Sequence, residues 1–140
     1  MIGTLIVKRK SAEGFEALNR RDLDTYLKDW AEEAVLVFPG DIPGMSGVFT
    51  GKEAIRAWYQ RDFEQFPTTR RRLKSVAVSN LFDMTGDNMV AVHWDFEGTS
   101  RNGAQIENSG VSMITIKGGK VTHIHIYVFD TGEKFRAAWK

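Results

Sequence analysis

The residues best suited to chemistry lie in the second half of the chain, on segments that read as strands. All three histidines are there: His93, His123 and His125. On a pleated strand successive side chains point to opposite faces, so His93, Asp95 and Glu97 share one face while Val92, Trp94 and Phe96 share the other. His123, His125 and Tyr127 likewise share a face, with Ile124, Ile126 and Val128 opposite. A histidine takes up and releases protons near neutrality, and a carboxylate two residues away can orient its ring or share the proton. Asp95 with His93 or His125 is therefore the candidate acid–base set, and Tyr127 a candidate for polarising an oxygen. The same residues also read as a polar outer stripe with structural or interface roles, depending on which face of the strand looks inward. Two histidines and Asp95 could in principle be metal ligands, but a catalytic zinc needs three that converge and no second carboxylate or histidine stands at helical spacing, so no metal is expected. No phosphate-cradling glycine motif is present, and no cofactor is expected.

These residues need strands to carry them, and the turns supply the evidence. Thr85-Gly86-Asp87-Asn88, Arg101-Asn102-Gly103 and Lys117-Gly118-Gly119-Lys120 each offer the positive φ of a tight hairpin. Between them run segments 89–99, 104–117 and 121–130, rich in Val, Ile, Thr and aromatics. The N-terminal half reads as helical. Residues 4–19 place Val7, Phe15 and Leu18 on one face, weakened by Gly14. Asp22 or Asp24 caps a second short helix bearing Leu23, Tyr26, Leu27 and Trp30. A short strand over 34–38 ends at Pro39-Gly40, and 41–49 reads as a loop. Thr50-Gly51-Lys52-Glu53 has the form of a capping box, followed by Ile55, Trp58, Tyr59, Phe63 and Phe66 at helical spacing, with Pro67 as the stop. Asp62 shares a helical face with Tyr59 and Phe66, where pairing with an arginine and catalysis are both open. A last helical turn is expected over 132–139 with Thr131 as its cap.

Composition narrows the function classes. With 140 residues, 42% hydrophobic and 26% charged, the chain is of ordinary globular type and single-domain size. A net charge of +1 gives no global attraction to nucleic acid, and Arg70-Arg71-Arg72 reads as a solvated strand start. The absence of cysteine excludes disulfides and thiol chemistry. No apolar run is long enough for a membrane span and 1–10 lacks a signal-peptide core, so a cytoplasmic protein is expected. Helices first and an antiparallel meander afterwards is an α+β order.

In that order the chain resembles the nuclear transport factor 2-like superfamily, in its SnoaL-like polyketide cyclase and steroid isomerase branch. The resemblance rests on Ala17-Leu18-Asn19-Arg20-Arg21-Asp22-Leu23-Asp24, Trp30-Ala31-Glu32-Glu33-Ala34-Val35 and Gly51-Lys52-Glu53-Ala54-Ile55. It extends through Gly119-Lys120-Val121 to Tyr127 and Asp130, and so spans nearly all of residues 1–140. It implies one cone-shaped α+β roll, with three N-terminal helices packed on a strongly curved, mostly antiparallel sheet round an apolar pocket. It also implies a homodimer formed through the outer face of the meander, with Trp94 and Phe96, or whichever stripe faces away from the helices, in the interface. Tyr26, Trp30, Phe38, Trp58, Tyr59, Met113 and Tyr127 would contact a small-molecule ligand.

The superfamily hosts several reactions and also plain binding proteins, so the fold does not select among them. The steroid isomerases carry a base before the first strand's proline, where this chain has Phe38, and oxyanion donors where it has Gly14 and Val111. Steroid-type isomerisation is therefore not expected. His93 and Asp95 stand near the arginine and aspartate of the limonene-type epoxide hydrolases, and the cyclases use an aspartate and a histidine on late strands. The expected function is a cofactor-independent cyclase, isomerase, dehydratase or hydrolase acting on a small apolar oxygenated molecule. A binding or dimerising domain without chemistry is the alternative.

Overall fold

A computed structural model describes residues 2–79 and 86–140, so Thr85 of the first expected turn lies outside the described residues. The elements run α1 (Ile2–Asn19), α2 (Leu23–Leu27), β1 (Trp30–Phe38), β2 (Gly47–Thr50), α3 (Lys52–Gln65), β3 (Thr68–Val78), β4 (Asn88–Thr99), β5 (Gln105–Lys117), β6 (Lys120–Val128) and α4 (Glu133–Ala138). Six strands form one curved, unclosed sheet in the order β2-β1-β6-β5-β4-β3. Among the described residues, only the β1–β6 pair is parallel. Register shifts interrupt β1–β6, β3–β4 and β5–β6. Such irregularities add bend and twist to a strand, which lets the sheet wrap round the helices.

The first helix ends where backbone geometry forces it to. Arg21 takes φ 61°, the left-handed conformation usually left to glycine. The N–H of Asp22 then bonds the carbonyl of Ala17, and that of Arg21 the carbonyl of Leu18, which satisfies two carbonyls of the last turn. Arg21 is held there by its own side chain. Its guanidinium donates to the carbonyls of Phe63 at 3.0 Å, Phe66 at 2.7 Å and Pro67 at 2.9 Å, where α3 ends. Asp22 caps α2 as its type predicts, accepting from the backbone N–H of Thr25 at 3.1 Å.

Four local expectations change. Residues 47–50 form the edge strand β2, paired with β1, where the glycines had suggested a loop. β1 begins at Trp30, four residues before the expected strand start. Thr50 belongs to β2 and does not cap α3; Gly51, at φ 98°, occupies the cap position and no side chain bonds there. The chain turns so sharply at that glycine that its N–H is spent on the carbonyl of Ala34. Thr131 does not cap α4 either, since Gly132 precedes it without a side-chain cap.

The helices bury their apolar faces against the concave side of the sheet. Ile55, Trp58 and Tyr59 of α3 meet Ala34, Leu36 and Phe38 of β1 in one core with Phe66, Ile124 and Ile126. Burying each such side chain stabilises the fold by about 1.5–3 kcal/mol. α4 closes the far end: Phe135 and Trp139 pack on Phe38 with ring centres 6.1 and 6.0 Å away. The buried polar pair Gln65 and Ser100 holds the end of that helix by the Ala138 carbonyl, at 2.8 and 2.6 Å. No described helix is long and apolar enough to cross a membrane.

Candidate functional site

The helices and the bent sheet leave a cavity of about 240 Å³. Its sheet wall is the apolar stripe of β4, Val90, Val92, Trp94 and Phe96, continued by Ile114 of β5 and Ile124 and Ile126 of β6. Parity along each strand follows. With Val92 and Trp94 turned inward, His93 and Asp95 must turn outward; with Ile124 and Ile126 inward, so must His123, His125 and Tyr127. The expected catalytic set of His93, Asp95 and His125 therefore lines no part of the cavity, and neither do Met113 and Tyr127. Of the two stripes open for a dimer interface, the one with Trp94 and Phe96 is likewise inside, which leaves the stripe that faces away from the helices. The physical reason is burial: the helix faces are apolar and take the strongly apolar strand face, leaving the mixed one to the outside.

On that outside, Asp95 accepts from the Ser109 hydroxyl at 2.6 Å and faces Lys74 at 3.4 Å, and together these hold its carboxyl below the usual range. It borders an open charged groove with Arg70, Arg72, Glu97 and Glu107. The His125 ring stacks on Tyr127 with centres 4.2 Å apart, and His93 lies near Phe129. Among the described residues, no cluster of three or more metal-ligating side chains occurs.

Tyr26, Trp30, Phe38, Trp58 and Tyr59 do line the cavity. Trp58 is fixed by its indole N–H, which donates to the Met45 carbonyl at 2.9 Å. Trp94 donates to the Ser112 hydroxyl at 3.0 Å. α2 and α3 bring the hydroxyls of Tyr26 and Tyr59 within 2.9 Å of each other. Burial pushes Tyr26 up to about 12, against the opposing hydrogen bond from Tyr59 and the charge of Arg71. Tyr59 is raised well above the ordinary tyrosine value, first by burial and then by its neighbour Tyr26.

One turn along α3 from Tyr59 lies Asp62, a cavity-lining carboxylate that is 3% exposed. It is paired with Arg71 of β3 by a short hydrogen bond from Nη2. Burial raises the Asp62 carboxyl above its ordinary value, and the charge and hydrogen bond of Arg71 oppose that rise. The arginine is placed from both sides. The side-chain amide of Asn19, at the end of α1, bonds both the N–H and the carbonyl of Arg71 at 2.9 Å. The rings of Phe96 and Phe63 flank its guanidinium at 5.1 and 5.9 Å. The sequence leaves Asp62 open between pairing with an arginine and catalysis, outside the expected catalytic set, and reads Arg71 only as part of a solvated strand start. The signal for Arg71 was present, however: three successive arginines on a strand cannot all face solvent, and the middle one takes the other face from Arg70 and Arg72.

In this part of the wall the two tyrosine hydroxyls, the Asp62 carboxylate and the Arg71 guanidinium come together at a mostly apolar cavity. Buried hydroxyls donate to carbonyl oxygens, and a buried carboxylate of raised pKa can accept and return a proton.

Comparison with known proteins agrees with this architecture. Bal32a, from a soil-derived mobile gene cassette, has a TM-score of 0.79 at 22% identity, covering 95% of each chain. An NTF2-like protein of unknown function from Burkholderia pseudomallei has a TM-score of 0.79 at 20% identity, covering 92% of this chain and 94% of its own. TerC, crystallised with polyporic acid, has a TM-score of 0.72 at 19% identity, covering 88% of this chain and 90% of its own. No curated protein sequence matches the chain. The model of the SnoaL-like domain matches residues 12–124. With its helix-filled, curved sheet like that of NTF2-like proteins, the chain belongs to the SnoaL-like domain family.

Proposed function

We propose that the protein is a cofactor-independent acid–base enzyme acting on one small, mostly apolar, carbonyl-bearing molecule held inside the cone. The observation that carries this reading is the buried Asp62 carboxylate in the wall of an otherwise apolar cavity, one helical turn from a hydrogen-bonded tyrosine pair. When two hydroxyls share one hydrogen bond, the second proton is free to donate to a ligand carbonyl. Asp62 then takes a proton from the adjacent carbon, the C–H electron pair forms a carbon–carbon double bond as the carbonyl π pair moves onto oxygen, and the hydroxyl stabilises the enolate that forms. Return of the proton to carbon completes an isomerisation or exchange.

TerC, a neighbour in fold, was crystallised with polyporic acid, which supports a small-molecule role. The binding-only alternative draws on one observation: Arg71 already occupies Asp62 and restrains its basicity. The two readings part in a single experiment. 2-Acetylnaphthalene is titrated by calorimetry, and exchange of the protons next to its carbonyl is followed by NMR in deuterated water. One-to-one binding with accelerated exchange, lost in Asp62→Asn while binding persists, is expected. Binding without exchange leaves the protein a ligand carrier.

We also propose a homodimer that covers the outward stripe of Ala91, His93, Val111, Met113, His125 and Tyr127. The support is the apolar content of that face, with its Tyr127 exposed at 48% and the neighbouring Phe129 at 63%.

A further inference from the structure

We infer that the ligand carries a carboxylate, and that the second edge of the Arg71 guanidinium reads it. The inference rests on the cavity being the ligand site and names the class of molecule that enters.

Arg71 is committed on one side only. Its Nη2 donates to Asp62, while its Nη1, itself buried, has no acceptor among the described residues. A guanidinium donates through two edges in fixed fork geometry, so the unfilled edge is aimed at a definite place. Its side chain is 11% exposed, so bulk water does not routinely serve that edge. A buried cationic donor left without a partner is costly, and the cost is recovered when a ligand oxygen takes the position.

The charge balance points the same way. Behind the cavity wall the Arg21 guanidinium is held below its ordinary value, first by burial and then by the charge of Arg71. Arg21 spends its donors on the backbone carbonyls of Phe63, Phe66 and Pro67, none of them an anion. Two guanidiniums therefore share the single carboxylate of Asp62. The other charged lining residues, Lys10, Glu13, Lys28 and Asp29, are two cations and two anions, with Lys10 and Asp29 paired at 3.3 Å. The lining charges themselves balance, and the partly exposed Arg21 behind Arg71 adds one positive charge, which favours an anion over a neutral ligand of equal shape. The guanidinium is also fixed in advance. Phe96 and Phe63 hold its faces and Asn19 holds its backbone, so little ordering cost remains on binding. The tyrosine pair is left for a second oxygen, and the class assigned is an apolar oxo acid or related carboxylate.

The test compares 2-naphthoate with 2-acetylnaphthalene, which share a body and differ in charge. Titration calorimetry at neutral pH should show the carboxylate binding about tenfold or more tightly, the difference between a charge-assisted and a neutral hydrogen bond. Asp62→Asn removes the anion competing for Arg71, so it should tighten naphthoate further and leave the ketone unchanged. This variant does not depend on the folding of a chain lacking Arg71. Arg71→Lys, which keeps the charge and loses the fork, should narrow the preference. Equal or tighter binding of the ketone, or weaker naphthoate binding in Asp62→Asn, overturns the inference while the cavity reading stands. Binding of neither probe overturns the cavity reading and this inference with it.

Discussion

The hydroxyls of Tyr26 and Tyr59 meet at 2.9 Å across the contact between α2 and α3, with Tyr59 buried, Tyr26 half-buried beside it and Arg71 acting on both. A phenolate there would lie in a poorly solvating wall, so both groups hold their protons past the ordinary tyrosine value of 10.0. The chain has only three tyrosines, and Tyr127 is the third. In a Tyr127→Phe variant, tyrosinate absorbance should appear only when alkali unfolds the protein. The sign follows from linkage. Unfolded tyrosines release protons near 10, whereas Tyr26 in the fold does so at about 12, so stability falls as pH rises through that interval. A reversible tyrosinate step in the folded variant near the ordinary value would contradict the burial of the pair.

The pair Asp62–Arg71 should be a liability to stability that the site requires. Removing one member of a buried ion pair strands the other, so Asp62→Ala should cost about 3–5 kcal/mol in urea unfolding. The double substitution Asp62→Leu with Arg71→Met removes both charges and should recover most of that loss, while abolishing carboxylate binding. Burial holds the Asp62 carboxyl above 3.8, so its contribution to stability is greatest below that pH. It falls as pH rises through the elevated value, and the double variant should lack this fall. A double variant as unstable as the single one would mean that the pair is needed for folding.

The outward stripe predicts assembly. Sedimentation at micromolar protein should give a dimer, and Met113→Lys should convert it to a folded monomer, because a charge in the middle of an apolar contact is not solvated there. A wild-type monomer, or a dimer unaffected by that change, would remove this face from consideration.

The spacing of particular residues made much of the fold legible and left the site obscure. Ile55, Trp58 and Tyr59 marked α3, and the glycines at 103, 118 and 119 marked the hairpins; all three glycines take positive φ. The inward face of β4 was not legible, because both alternating stripes contain residues that a core accepts. Val92 and Ala91 are neighbours on opposite faces, and only the helices packed over the sheet decide which is buried. Attention went to His93 and Asp95 because histidine and aspartate are chemical residues at strand spacing. The groups that reach the cavity come from a helix and from a strand joined to it by Pro67, and only their packing brings Asp62 to Arg71. A run of three arginines looked like solvent-facing charge, yet strand parity requires the middle one to differ.

Arg21 offers a final test of how the site is braced. Its left-handed backbone costs about 1–2 kcal/mol relative to an ordinary helical residue, and glycine would relieve that strain. Its guanidinium, however, makes three bonds to the carbonyls that end α3, the negative end of that helix, and covers the Phe63 ring at 4.8 Å. Charge-assisted bonds of this kind contribute about 1.5–3 kcal/mol each when well shielded, less here because the group is partly exposed. The bonds outweigh the strain, so Arg21→Gly should destabilise the protein by about 1–2 kcal/mol. Arg21 also adds to the positive charge behind Arg71, so the same variant should weaken naphthoate binding while leaving the ketone unaffected. Stabilisation by Arg21→Gly would show that the strained backbone, and not the carbonyl contacts, dominates at this position.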